Sequence, residues 1–310
     1  MTEIGKMVAL WRGMVGARER RYRQMGRLVR EVVFYLVLAS LTVVFLAPLV
    51  WMVSASFKPE GFVWQYPPAL IAERIQWWNY TDAWAAFPFW RGLRNTMTIT
   101  VGVMVGRLLS ASLTAFAFAR LRFPGRRVLF MLVLSTMMIP YHVTLIPQFI
   151  MFRNLGWLNS FKPLVVPEYF GGAAFYVFLL RQFFMTIPHE YDDAARIDGC
   201  GTFGIFWKIM LPMSAPALGT VAIFTFMNNW NDFLAPFIYL NNQEKYTLAI
   251  AIRMWQRYAG GLPGSGSLYK QPDWCQIMAI CTVLTIPPAL VFFFAQRYFI
   301  QGVVISGIKG

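Results

Sequence analysis

The sequence predicts an all-α integral membrane protein with six transmembrane helices. Three observations carry that expectation. Of the 310 residues, 57% are hydrophobic and only 14% charged, whereas a water-soluble domain carries about 25% charged residues. The apolar residues are gathered into six runs, at about 32–53, 95–118, 128–150, 164–184, 217–240 and 274–295. Each run approaches or exceeds the roughly 20 residues that cross a bilayer as a helix. A lipid interior admits only helices or closed barrels, and barrel strands would read as short alternating segments, which these runs are not.

The elements come in chain order. Residues 1–30 carry eight basic side chains (Lys6, Arg12, Arg18, Arg20, Arg21, Arg23, Arg27 and Arg30) ahead of the apolar run Val32–Val53. A cleaved signal peptide has a shorter basic region and a shorter apolar core, so the run reads as an uncleaved first span entered from the cytoplasm. With that start, the inner segments (1–30, 120–127, 181–216 and 297–310) hold 17 Lys and Arg, and the outer ones (54–94, 151–163 and 241–273) hold 10. The inward excess agrees with the usual placement of positive charge, with Arg120, Arg122, Arg126 and Arg127 its clearest marker. Both termini are thereby expected in the cytoplasm of a multi-pass protein of the cell (inner, cytoplasmic) membrane. Pro48, Pro140, Pro147, Pro236, Pro287 and Pro288 fall inside runs, which membrane helices tolerate where neighbours satisfy the freed carbonyls. The organisation expected is a basic tail (1–31), a first span (32–53), an outer loop (54–94), a five-helix core (95–296) with an inner loop at 185–216, and an inner tail (297–310).

The inner loop carries the most information. Pro188 and Glu190 open a short helix whose Glu190, Asp192 and Asp193 sit near the positive end of the helix dipole. Asp192 and Arg196 are spaced as an i,i+4 pair. Ala194 and Ala195 are small enough for another surface to approach, and Gly199, after Asp198, is placed to end the helix in a left-handed turn. Thr202 is expected to cap a second helix whose Phe203, Phe206 and Trp207 lie in the interface, and Pro212 to start the climb into the fifth span. Asp193, Ala194, Ala195, Gly199, Ile209, Leu211 and Pro212 fit the spacing acidic-A-A-x3-G-x9-I-x-L-P. Chance would produce seven such positions on the order of once in 10⁵ chains or less. An amphipathic helix resting on the membrane surface without a partner is the plainer alternative.

Several classes are disfavoured. Gly199 to Gly204 is formally G-x-G-x-x-G, but no strand precedes it and a span comes after, so it is no dinucleotide fingerprint. No phosphate-binding loop of the G-x-x-x-x-G-K-[ST] type occurs, so any ATP must be hydrolysed by another subunit. With His142 and His189 as the only histidines and no H-E-x-x-H, zinc hydrolysis is disfavoured. Cys200, Cys275 and Cys281 form no C-x-x-C pair. The net charge of +14 has its ordinary explanation at inner span ends, and without a nucleic-acid motif no nucleic-acid partner is expected.

On these residues the chain resembles the permease subunits of binding-protein-dependent ABC importers, in the carbohydrate-uptake branch that includes the second maltose permease subunit. The resemblance extends beyond the loop, from roughly Ser40 to Gly310. It covers Ala115–Arg126 (AFAFARLRFPGR), Ile139-Pro140, Leu145 to Pro147, Leu155-Gly156, Leu158-Asn159, Asn229 to Phe233 with Pro236 and Tyr239, Gln296 to Gly302, and Lys309-Gly310. It implies the type I ABC importer permease fold and a second homologous permease subunit. It also implies two ATPase subunits, which would bind the ATP and Mg that this chain does not, and an outer solute-binding protein delivering a sugar. The helix from Asp193 to Gly199 would enter a cleft of one ATPase, and the tail around Lys309 would reach the ATPase pair. The family's usual first acid is Glu; Asp193 is one methylene shorter, so an ion pair there must come closer or use Glu190 or Asp192.

Asn228, Asn229, Trp230, Asn231 and Asp232 fall near the middle of the fifth run. Amides beside an aromatic ring suit a sugar, and interhelical hydrogen bonding is the alternative. Arg107, mid-way along the second run, is expected to pair with Asp232 at similar depth. Tyr246, Arg253, Trp255 and Arg257 in the second long outer loop are candidates for touching a binding protein or simply for packing over the spans. Two other classes stand beside the transport subunit: an ion-coupled secondary transporter, which would need more intramembrane carboxylates than Asp232, and a membrane-embedded enzyme, for which no nucleophile–base or metal constellation is present.

Overall fold

The computed structural model describes residues 3–67, 69–70, 74–171, 173–258 and 274–307; over 3–24 and 297–307 the description is of the backbone. The described residues form helices and turns without strands. Helix α1 (Glu3–Ser56) runs 54 residues without interruption, straight through the expected tail–span boundary at residue 31 and past Pro48. At 1.5 Å per residue it is about 80 Å long, well over twice the hydrocarbon thickness. Every side chain from Met25 to Val50 is exposed.

The aromatic outer loop holds a short helix, α2 (Trp78–Ala86). Its buried Asn79 donates to the carbonyls of Ser56 and Lys58 (2.9 and 2.8 Å), closing the top of α1. Lys58 is itself buried. Its ammonium donates to Ala69 O at 2.5 Å and lies 4.0 Å from the Trp51 ring centroid, and burial pushes its pKa below the ordinary lysine value.

Helix α3 (Phe89–Arg120) is the central rod, 32 residues without proline. It packs on α7 (Ala174–Thr186) and α11 (Ala215–Asn231), and α11 packs in turn on the last helix. The third run is not one straight span. Helices α4 (Arg126–Ser135, extended by a 3-10 turn to Met138) and α5 (Tyr141–Asn154) meet at 97° across Ile139-Pro140. Proline removes a helix donor and biases the residue before it toward extended backbone, and Ile139 at φ −82°, ψ 115° is extended.

The fourth run, Lys162–Thr186, is long enough to span but begins as a single turn, α6 (Lys162–Val165), then a 3-10 turn at Val166–Tyr169. Regular helix resumes only at α7 (Ala174–Thr186). Helix α8 (Glu190–Ile197) forms the inner loop, succeeded by α9 (Thr202–Ile205), a π turn (Phe206–Met210) and α10 (Leu211–Met213). The chain then bends by 75° into α11 (Ala215–Asn231). The fifth span therefore starts beyond Pro212, at the buried Ser214. It also breaks where it was expected to continue: α11 ends at Asn231, and α12 (Leu234–Tyr239) comes after an extended Asp232. An amphipathic α13 (Leu248–Tyr258) lies over the outer end, and α14 (Trp274–Gly307) returns through the bundle with Pro287 and Pro288 inside it. Four helices are long and apolar enough to cross a membrane, and six segments if each bent pair is one span.

Two large apolar clusters divide the bundle by height, beside a small third one around Ala55, Val63 and Cys275. One, around Phe116, Leu180, Phe184, Phe206 and Met210, lies at the inner-loop end. The other, around Phe87, Phe89, Phe226, Trp230 and Ile280, lies at the end of the long aromatic loop. Between them α3, α5, the 162–176 segment, α11 and α12 leave a cavity.

Candidate functional site

Two sites emerge, the inner-loop knob and this cavity. The knob begins at His189, whose carbonyl accepts from Asp192 N and Asp193 N (2.9 and 3.1 Å). His189 is the cap residue, so Pro188 precedes the helix instead of opening its first turn. At the other end Gly199 is left-handed, with φ +80°. Cys200 N donates to Ala195 O (2.8 Å) and Gly199 N to Arg196 O (3.0 Å), the double closure of a Schellman turn. The glycine that the sequence placed as a stop is that stop.

The rotation of the knob differs from expectation. Asp192 is not paired with Arg196. It turns inward, 5% exposed, with Oδ2 3.5 Å from Nη1 of Arg120 at the end of α3. The same guanidinium donates through Nη2 to Ile187 O (2.6 Å), and its Nη1 lies 2.8 Å from His189 Nδ1. Arginine has no acceptor, so the imidazole accepts at that nitrogen. Ala195 also faces inward, packed into the inner core, while Ala194 stays exposed. The outward face is Glu190, Asp193, Ala194, Arg196, Ile197, Asp198 and Gly199. Ile197, 87% exposed, is its apolar centre, and no sequence pattern singled it out. Phe203 and Trp207 are exposed beside it, but Phe206 is fully buried in the inner core. Gly201, not Thr202, stands at the cap of α9, with no side-chain cap bond. Pro212 is exposed at the base of the loop, and Lys309 lies outside the described residues.

The cavity is an open cleft of about 1050 Å³, at the upper end of the range for small-ligand sites. Asn228, Asn229, Asn231 and Asp232 line it together with Gln148, Tyr141, Tyr176 and Tyr239. Asn228 Nδ2 donates to Tyr176 Oη on α7 (3.2 Å). Asn229 and Asn231 donate back to the carbonyls of Thr225 and Met227 (2.9 and 2.8 Å), which leaves their side-chain oxygens without a helix role. Asp232 sits at the break between α11 and α12, where its Oδ1 accepts from Ala235 N (3.3 Å). It is not a mid-helix residue sharing a face with Asn228 and Asn231, because the helix has ended. Trp230 is not at the cavity: it is 6% exposed in the outer core and donates through Nε1 to Leu284 O (3.2 Å) on α14.

Arg107 lines the same cavity but does not pair with Asp232. Its Nε and Nη2 grip both oxygens of Glu168 (2.8 and 2.6 Å), and the Tyr176 ring lies 5.0 Å away. Glu168, in the 3-10 turn of the fourth run, is a second intramembrane carboxylate that sequence reasoning missed. A lone acid inside the apolar run 164–184 was the available signal.

At the outer end, Asn95 Nδ2 donates to the carbonyls of Glu244 and Tyr246 (2.7 and 3.0 Å), and Leu248 N donates to Thr96 Oγ1 (3.0 Å). These bonds seat α13 on α3. Trp255 packs inward, 5.4 Å from the Phe87 ring, while Arg253 and Arg257 are exposed. The Gly-rich stretch 260–266 lies outside the described residues.

Residues 99–305 match the family described as binding-protein-dependent transport system inner membrane component. The chain is 34% identical over 270 residues to the arabinooligosaccharides transport system permease protein of Halalkalibacterium halodurans, covering 85% of this chain and 91% of that one. It is 32% identical over 277 residues to the sn-glycerol-3-phosphate transport system permease protein of Yersinia pestis, covering 87% and 94%. Among solved structures it resembles a chain of a bacterial ABC transporter involved in importing the acidic polysaccharide alginate, with TM-score 0.75 at 26% identity, covering 87% of this chain and 96% of that one.

Proposed function

We propose that this chain, which belongs to the binding-protein-dependent transport system inner membrane component family, is the permease subunit through which an ABC importer passes a saccharide. In this reading the cavity is this subunit's part of the cargo path, and a second, homologous permease completes it. The N- and C-termini and α8 lie in the cytoplasm, two ATPase subunits that bind ATP and Mg grip the inner loops, and an outer solute-binding protein presents the cargo. The carrying observation is the build of α8: a rigid knob, stopped by a Schellman turn, that ties Asp192 to its own bundle and holds Ile197 and Asp193 outward. Amide oxygens and tyrosine hydroxyls around the cavity suit sugar hydroxyls. The ion-coupled alternative is weakened by Glu168, because a carboxylate already held by both arms of Arg107 is poorly placed to exchange a coupling cation.

Purifying the tagged chain from its host membrane tests this reading. An ATPase and a second permease should travel with it, and the reconstituted assembly should take up saccharide only with ATP and the binding protein. ATP-independent uptake by the isolated chain in liposomes would overturn it.

A further inference from the structure

From the charges around the cavity we infer that the cargo is an uncharged oligosaccharide, and that Glu168 determines this specificity by silencing Arg107; the inference rests on the cavity being the cargo path. Among the described residues lining it, Arg107 is the one cationic side chain, and Glu168 and Asp232 are the two acids. A phosphate or uronate group would need a cation whose charge is not already matched by a carboxylate. Arg107 does not meet this need: its Nε and Nη2 hold both oxygens of Glu168 in a bidentate fork, a strong arginine–carboxylate geometry, so although Nη1 lies outside the fork the charge it carries is already matched. The fork is held in place. Ser110 Oγ donates to Glu168 O (2.7 Å), and Gly106 lets the Tyr169 ring lie against α3 so closely that an added Cβ would stand 2.5 Å from Cδ2.

With Arg107 cancelled, Asp232 leaves this wall of the cavity with a net formal charge of −1. It accepts from the backbone of Ala235 (3.3 Å) and of Leu234, and a carboxylate with about four acceptor sites keeps capacity for sugar hydroxyls while repelling an anion. The other polar groups there, the amides and the tyrosine hydroxyls, are neutral. The permease of an sn-glycerol-3-phosphate transport system, a chain of an importer of acidic polysaccharide and an arabinooligosaccharide permease all resemble this chain, and its own side chains place it with the neutral group.

The test uses the assembled transporter, purified with its co-travelling subunits into lipid nanodiscs, and reads ligand binding by the shift in thermal unfolding midpoint. The probes are three neutral trisaccharides (arabinotriose, maltotriose and xylotriose) and trigalacturonate, an acidic one of equal length. At least one neutral probe is expected to bind, and trigalacturonate to bind on the order of tenfold more weakly or worse, the size of one charge–charge interaction across a partly solvated site. Glu168→Gln should free the guanidinium and strengthen trigalacturonate binding on the order of tenfold, while Arg107→Gln with Glu168→Gln should abolish that gain. Equal binding of trigalacturonate and the best neutral probe by the wild type would sink the inference, as would a Glu168→Gln assembly that still binds the neutral probe without gaining the acidic one. If the variant does not assemble, the wild-type comparison decides alone. Absence of every response, with the ATPase still attached, would remove the cavity from the cargo path and this inference with it, leaving the coupling role of α8 intact.

Discussion

Gly106 and Gly102 set the spacing on which the polar heart of the bundle depends. A methyl group on Gly106 would meet the Tyr169 ring, and one on Gly102 would stand 2.9 Å from Val165 Cγ1. Because the clash reaches Tyr169 Cγ (3.0 Å) as well as the ring edge, the whole ring must shift, and Gly106→Ala should cost about 1–3 kcal/mol. The check is a lower midpoint of thermal unfolding in detergent. The Arg107–Glu168 pair gives a sharper expectation. Removing either partner strands the other, at a cost of up to about 3 kcal/mol given their partial exposure, whereas removing both should cost less than the sum. Unfolding of the two alanine variants and the double would show this coupling, and the corresponding cycle for Arg107 and Asp232 should be additive. The sequence made Arg107 conspicuous and suggested the wrong acid. Matching depths along two runs was not enough, because Glu168 sits in a turn whose direction no helical period describes.

At the level of elements, α8 is both attachment and handle. Its glycine stop and its acidic first turn were legible, and its start to within about a turn, since each is a local backbone requirement. Its rotation was not, because two adjacent alanines are equivalent in a sequence pattern and about 100° apart on a helix. The structure separates them: a cysteine at Ala194 or Ile197 should crosslink to an ATPase subunit in native membranes, and one at Ala195 should not. Arg120 makes a second expectation possible. It joins α8 to α3 through Asp192, Ile187 and His189, so Arg120→Ala should leave ATP hydrolysis running while saccharide uptake falls severalfold. The ratio of the two rates in proteoliposomes is the measurement, and a proportional fall in both would point to simple misfolding.

Across the whole molecule, the six apolar runs gave the order of the apolar segments, four of which are helices long enough to cross and six if each bent pair is one span, because burial in lipid needs length and hydropathy and little else. Their continuity was not legible. Pro48, Pro287 and Pro288 lie inside unbroken helices, whereas Ile139-Pro140 turns the chain through 97°; the same residue has different outcomes because neighbouring segments decide whether the freed carbonyl finds a partner. The break at Asp232 is likewise set locally, by a carboxylate that accepts from Ala235 N in the first turn of α12. The arrangement of ends is open to direct measurement. In a background without the three native cysteines, a membrane-impermeant thiol reagent should label cysteines at Trp78 and Trp90 from outside intact cells, and one at Ile197 only after the membrane is opened.

Helix α3 has a mechanical consequence. It bears Asn95 and Thr96 beneath α13, Arg107 beside the cavity and Arg120 at the knob, on one proline-free stretch. Arg107 and Arg120 are about 20 Å apart along it. In an importer driven as proposed above, a tilt imposed at the foot of such a beam would reach its middle and its head together, gearing nucleotide turnover at one end to solute admission at the other through a single axle.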